Sequence, residues 1–327
     1  MIAKTTLCRG SVAYVSEYGP MSLASAWGNG VEVELATGRS WRLWAIAEIA
    51  SDEHREVVVS YGELLREMFP DLDPVVDDLF LLEAHQIADL PERAPARELA
   101  AVLHAHPGLN RFLVTRHPPI EEFLSRLLTE HSPVRGGDLA TASKLLVWEL
   151  ADWIAYQREP GIYDTESQVD WDVAAVTEVV ALEGKVVIDA GAGTGRVAFS
   201  FAPMARHVFA VEPVGTLRRF MRDKAAEMGI GNLFVLDGFL HAIPLPAGSA
   251  DVLVTCQAVG WALPDELAEI ERVVKPAGIA MHLFGTVTAQ SENPLHEPLV
   301  AHGYLPDIYQ QGNHHIVRYW KQIGAAG

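Results

Sequence analysis

Residues 31–36 (Val-Glu-Val-Glu-Leu-Ala) alternate apolar and polar positions. Thr37-Gly38 supplies a turn and residues 41–46 resume the apolar run, which predicts a short β-hairpin. Beyond it the period lengthens. Residues 55–69, 74–89, 95–105, 118–130 and 138–158 repeat apolar side chains at three- and four-residue spacing, the pattern of helices with one buried face. Pro70, Pro74, Pro91, Pro107, Pro118, Pro119 and Pro133 fall between these segments, where helices break. Glu159-Pro160-Gly161 breaks the last of them. From there the rhythm changes to short apolar runs, at 185–190, 206–212, 233–237, 250–256 and 277–284, separated by helical stretches at 195–204, 214–229, 264–274 and 291–302. That alternation predicts parallel strands joined by crossover helices, an α/β doubly wound sheet. The tail, 304–311 and 314–322 around Gly312-Asn313, predicts an antiparallel closing hairpin. The organisation expected is a mainly helical N-terminal domain with a short β-hairpin, residues 1–160, followed by a mostly parallel α/β domain, residues 161–327. A chain of 327 residues is long enough for two cores.

Composition narrows the function. The formal charge is −18, with 14 basic and 24 acidic side chains in residues 1–160 and 11 and 19 in 161–327, so neither half is basic. Only Arg218, Arg219, Arg222 and Lys224 cluster, and a solvated helix face accounts for them. Nucleic acid and anionic membrane are poor partners for such a chain, which leaves a small molecule as the expected substrate. No apolar run approaches 18 residues and the N-terminus lacks a secretory core, so a cytoplasmic protein is expected. The two cysteines, Cys8 and Cys256, form neither a disulfide framework nor a metal knuckle. His104, His106, His117 and His131 lack metal spacing, and adjacent His314 and His315 would point to opposite faces of a strand. No metal is expected.

The informative segment is Val186-Val187-Ile188-Asp189-Ala190-Gly191-Ala192-Gly193-Thr194-Gly195-Arg196, an apolar strand ending in an acid, then a glycine-rich turn, then a helix. Glycines let a ligand approach the backbone, and the amides at a helix start favour an anionic group. A dinucleotide fingerprint requires glycine at the sixth position, where this chain has Arg196. The D-x-G-x-G-x-G pattern instead resembles the first motif of class I S-adenosylmethionine (SAM)-dependent methyltransferases, enzymes with a Rossmann-like sheet. Ile243-Pro244-Leu245-Pro246 with the strand after it, and Glu271-Arg272-Val273-Val274-Lys275-Pro276-Ala277-Gly278, resemble the group that contains the ubiquinone/menaquinone-biosynthesis enzymes. In the latter segment Ala277 stands where the familiar form has a glycine. The resemblance covers about residues 163–285; the N-terminal region resembles no family we recognise.

The resemblance implies SAM as cofactor and assigns residues to it. Asp189, Gly191, Ala192, Gly193 and Gly195 form the turn. Glu212, after the strand 206–212, would accept bonds from the ribose hydroxyls, a role that dinucleotide enzymes give to a similar acid. The adenine site falls at Asp237, Gly238 and Phe239: either Asp237 serves, or Phe239 packs on the ring and main-chain groups bind its edge. Gln257 is placed to touch the cofactor or substrate. Tyr163 either lids the cofactor or, with Trp171, packs against the sheet. The catalytic residue is not legible, and Trp261, as an acceptor-lining side chain, and His282, as a base, are weak candidates. Methyl transfer needs a base only where the nucleophile must lose a proton, so a missing base does not exclude an enzyme. The expected activity is methyl transfer to a small molecule by in-line displacement. The alternative is a non-catalytic SAM- or S-adenosylhomocysteine (SAH)-binding module that acts through a protein partner. Residues 1–160 would cover the pocket, choose the substrate or mediate a homodimer.

Overall fold

The computed structural model describes residues 69–165, 172–284, 293–311 and 314–324, together with five N-terminal strands and the positions Gly62, Leu65 and Arg66. Trp171 and the side chains of His314 and His315 lie outside the described residues. Two compact units divide at Glu166/Ser167.

In the first unit, β1 (Ile2–Leu7) pairs antiparallel with β3 (Val33–Leu35) and β5 (Arg55–Ser60), while β2 (Val12–Ser16) pairs with β4 (Arg42–Ile46). The hairpin expected from 31–36 and 41–46 does not form, since its two arms join different sheets. Residues 55–60, expected as the start of a helix, are a strand, in keeping with the β-branched run Val57-Val58-Val59. Helices follow, among them Ala96–Ala105, Pro107–Arg116, Glu121–Glu130, Gly137–Glu149, Ala151–Arg158 and Pro160–Thr165. The helix Pro107–Arg116 stands where a break was expected. Pro107 occupies its first turn, where the missing N–H costs nothing, and Leu109 and Leu113 are buried. The helical core gathers Leu79, Ile87, Leu99, Leu103, Leu113, Leu146 and Ile154, with Arg93 paired to Asp152 at 2.7 Å.

The second unit is built on seven strands: β6 (Val186–Ala190), β7 (His207–Val211), β8 (Leu233–Leu236), β9 (Ala250–Cys256), β10 (Val274–Phe284), β11 (Leu305–Gln311) and β12 (His314–Gln322). Their order is β11-β12-β10-β9-β6-β7-β8. The pairs β6–β7, β7–β8, β6–β9 and β9–β10 are parallel, and β12 runs antiparallel to both β10 and β11. This is the doubly wound, Rossmann-like sheet with an antiparallel closing hairpin that the pattern predicts. Helices cover both faces, so the central strands read as continuous apolar runs. Val187, Val252 and Val254 enter one core, and Ile188, Leu253 and Ala280 the other. Strand order reverses between β6 and β9, which makes the carboxyl ends of these strands the crevice where such sheets take ligands.

β10 begins earlier than expected, and its register against β9 shifts between Val274 and Ile279. Within the shift Ala277 adopts φ 65, a left-handed conformation that disfavours a Cβ, while its N–H still donates to Ile323 O at 2.8 Å. The glycine that this position has in the resembling enzymes thus has a conformational reason. Ala277→Gly is expected to stabilise the second unit by about 1 kcal/mol, read as a higher denaturation midpoint. An unchanged or lower midpoint would mean that Ala277 is not strained.

Candidate functional site

The glycine turn leaves the carboxyl end of β6. Gly191, Gly193 and Gly195 have φ 75, 57 and 84, so all three take the conformation that only glycine adopts freely. Gly191 and Ala192 both donate to Val211 O, at 2.9 and 3.1 Å, which ties the turn to the end of β7. A Cβ on Gly191 would lie 2.3 Å from Ala258 Cβ, and one on Gly195 2.9 Å from Met221 Sδ. The backbone therefore lies against its neighbours with no space for a side chain.

Two carboxylates brace this turn from beneath and beside. Asp189 is 1% exposed, and its Oδ2 accepts from the Ala198 N–H at 2.9 Å, capping the helix Arg196–Phe201 from within the sheet. Burial raises its pKa to about 7; the Ala198 bond opposes that shift and the nearby Glu212 charge adds to it. Glu212, also buried, follows β7. It accepts from the Gly193 N–H and the Val214 N–H, each at 2.9 Å, and so joins the turn to the entry of the helix Gly215–Glu227.

Arg218, read in the sequence only as part of a solvated face, organises the next layer. It donates to Glu212 O and Pro213 O at 2.8 and 2.6 Å and pairs with Asp237 at 3.0 Å. Its spacing from Glu212 along a helix start was the only available signal. Asp237 has a 70% exposed side chain at the end of β8. Gly238 is packed closely: a Cβ there would meet Pro244 Cδ at 2.7 Å and Val211 Cγ1 at 3.0 Å. Phe239 bridges to Ala242 and stacks on His241 at 5.2 Å. Asp189, the turn and Glu212 thus form one hydrogen-bonded group, and Arg218 links it to Asp237.

The remaining candidates lie on other elements. Gln257 follows β9 with φ 59 and donates its N–H to Leu283 O at 3.0 Å. Trp261 is largely exposed on the same loop. Tyr163 belongs to the first unit, where it packs edge-on against Tyr156 at 4.7 Å. His282 has no exposed surface and its ring shares a 2.8 Å bond with Thr255 Oγ1. Burial, with a smaller effect of Lys321, lowers its pKa to about 3. A ring enclosed in this way, against Tyr304, is a core residue and does not reach an acceptor as a base. Cys256, beside the turn, has its thiol pushed up to about 12, mainly by burial, and is no nucleophile at neutral pH. Among the described residues no group of three or more metal-ligating side chains is found, and no helix is long and apolar enough to cross a membrane.

The donor set suits an adenosyl ligand. Glu212 is an acid at the end of β7, the kind of acceptor to which ribose hydroxyls donate, and it is bonded to a turn of positive-φ glycines that let a ligand approach the backbone. Residues 187–278 match a family model described as a methyltransferase domain. A malonyl-[acyl-carrier protein] O-methyltransferase of Yersinia pestis is 34% identical over 114 residues, 34% of this chain and 40% of that protein. An uncharacterised methyltransferase of Mycobacterium tuberculosis is 29% identical over 125 residues, 38% of this chain and 46% of that protein. A protein-L-isoaspartate O-methyltransferase of an Anaeromyxobacter is 30% identical over 163 residues, 47% of this chain and 66% of that protein. The chain thus spans less than half the length of the first two relatives. Residues 187–278 are a methyltransferase domain of the class I SAM-dependent family, whose cofactor is S-adenosyl-L-methionine.

Proposed function

We propose that the chain is an enzyme that transfers a methyl group from SAM to a small-molecule acceptor. The observation that carries this reading is the bond from Gly193 N–H to Glu212, which joins the cofactor turn and the ribose-type acid in one rigid cradle. SAM supplies the electrophile, a methyl group that passes to an acceptor lone pair while the sulfur keeps the bonding electrons. The protein's part is alignment. Glu212 and the 191–195 turn hold the adenosyl group, Arg218 fixes the strand ends around it, and Asp237, Gly238 and Phe239 border the adenine. Ala258, in the loop after β9, adjoins Gly191 of the turn, so this loop borders the β6–β9 crevice, where an acceptor would approach. Two of the named relatives are O-methyltransferases, which supports oxygen as the accepting atom. The acidic charge of the chain disfavours a nucleic-acid acceptor. The N-terminal unit is proposed to select the acceptor or to mediate a homodimer.

Calorimetric titration with SAM, SAH and NAD tests the reading. Binding of the first two at about micromolar Kd, with none of NAD, is expected. A folded Gly193→Trp variant should lose SAM and SAH binding. Retained affinity in that variant, or binding of NAD alone, would overturn the assignment of the turn. Turnover of SAM with an acceptor panel then separates an enzyme from a binding module.

A further inference from the structure

The first unit holds a cavity that methyl transfer does not use. Its volume is about 430 Å³, within the range of about 300–1,000 Å³ typical of small-molecule sites. Every residue that lines it belongs to the first unit, and none belongs to the cofactor cradle. Local packing leaves the hollow there. The helices Ala96–Ala105 and Gly137–Glu149 form two of its walls, and each contributes an alanine, Ala101 and Ala142, whose methyl group leaves the space open. Residues 131–134 form the third wall. This segment is fixed at its start, where the His131 N–H donates to Leu127 O at 3.1 Å and His104 Nε2–H donates to His131 O at 2.7 Å. Beyond it Gly136, with φ 60, turns the chain into the next helix, and its carbonyl accepts from the Ala140 N–H at 3.2 Å. The cavity is therefore framed by anchored backbone on all three sides.

The lining combines three kinds of group. Pro133, Val134 and Leu145 are apolar, and Leu145 is 40% exposed although Leu146 and Val147 beside it are buried. Arg97 supplies a guanidinium. Glu98, its neighbour on the same helix, and Asp138, in the first turn of the facing one, supply two carboxylates. Among the described residues the side chain of none of these three makes a hydrogen bond or an ion pair. Opposite charges that share one cavity without neutralising one another present a donor face and an acceptor face at once. A plain anion would suit Arg97 and be repelled by Glu98 and Asp138, and a plain cation would meet the reverse. A ligand that carries a carboxylate and an ammonium satisfies both faces with charge-assisted bonds, and an apolar body on the same ligand covers Val134 and Leu145.

We propose that this cavity binds a free α-amino acid with an apolar side chain, its carboxylate on Arg97 and its ammonium on Glu98 and Asp138. The N-terminal unit then has a ligand site of its own, which requires neither SAM nor a methyl acceptor.

The test is calorimetric titration of the full chain with L-leucine, in the absence of SAM and SAH. Binding at about millimolar Kd or tighter is expected. L-Leucinamide, which lacks the carboxylate, and isocaproate, which lacks the ammonium, should each bind about tenfold more weakly or worse. Arg97→Gln should lower the affinity for leucine to that for leucinamide. Glu98→Gln combined with Asp138→Asn should lower it to that for isocaproate. Ala142→Leu fills the hollow and should abolish leucine binding in a chain that keeps its helical circular-dichroism signal. Should that variant not fold, the charge variants, whose side chains make no bonds within the protein, carry the comparison. No leucine binding to the wild type up to about 10 mM overturns the proposal. So does equal affinity for leucine, leucinamide and isocaproate, or unchanged leucine affinity in the charge variants.

Discussion

Gly191→Ala is expected to destabilise the second unit by about 2–5 kcal/mol and to abolish SAH binding. Two effects add. The residue has φ 75, where an alanine costs roughly 1–2 kcal/mol. The new Cβ would also sit 2.3 Å from Ala258 Cβ, so either the turn or the loop after β9 must move. Overpacking of this kind adds about 1–3 kcal/mol, and the turn that moves is the one that binds the cofactor. Gly184→Ala separates the terms. Gly184 has φ 71 with nothing within 4 Å of its Cβ position, so that variant should lose only the conformational part. Ala258→Gly introduced together with Gly191→Ala removes the overlapping atom and should bring the double variant back toward the cost of Gly184→Ala. Chemical denaturation and SAH titration of the four proteins measure both consequences. Equal costs for Gly191→Ala and Gly184→Ala would show that the turn and the loop do not meet as described.

The contrast between the two units shows what a one-dimensional pattern carries. In the second unit the central strands are buried apolar runs and the edge hairpin flanks a Gly-Asn turn signal, so β6 through β12 were legible nearly residue by residue. The glycine turn was legible because its constraint is local: positive φ at three positions demands glycine at each. The first unit failed where pairing is not local. Residues 31–36 and 41–46 have good strand and turn chemistry, yet β3 pairs with residues some thirty positions earlier, and nothing in a local turn specifies that. Pro107 was read as a break because a proline stops one helix and starts the next with the same residue. At the site, Asp189 and Glu212 were legible as acids at strand ends, but their main-chain partners were not. Glu266 was missed because it reads as one of several acids in a helical first turn; only the fold brings the Gly260, Trp261 and Ala262 amides onto it. His282 shows the reverse error: a histidine late in the sheet suggests chemistry, and its burial makes it core.

Asp189 makes the second large prediction, and its sign follows from linkage. The carboxyl has a pKa near 4 in an unfolded chain and about 7 in the folded one, pushed up first by burial. Below both values it is protonated in either state and has no effect on the pH dependence. Between about pH 4 and 7 the unfolded chain releases this proton and the folded chain retains it, so stability falls as pH rises, and it levels off above 7. A shift of this size corresponds to about 4 kcal/mol across the window. Asp189→Asn cannot titrate, yet its amide oxygen still accepts from Ala198 N–H. The two proteins should therefore be similar near pH 4 and diverge upward, the variant becoming more stable by several kcal/mol at pH 8, as denaturant midpoints at both values would show. A difference that does not change with pH would mean that Asp189 ionises normally inside the sheet. The same reasoning says why a carboxyl is retained there. A neutral residue would give a more stable sheet at pH 7, so the destabilising group belongs to the cradle rather than to the core. It is held beneath the turn that meets a ligand carrying positive charge, where a nearby anion favours binding and where the neighbouring Glu212 adds to the cost of a second negative charge.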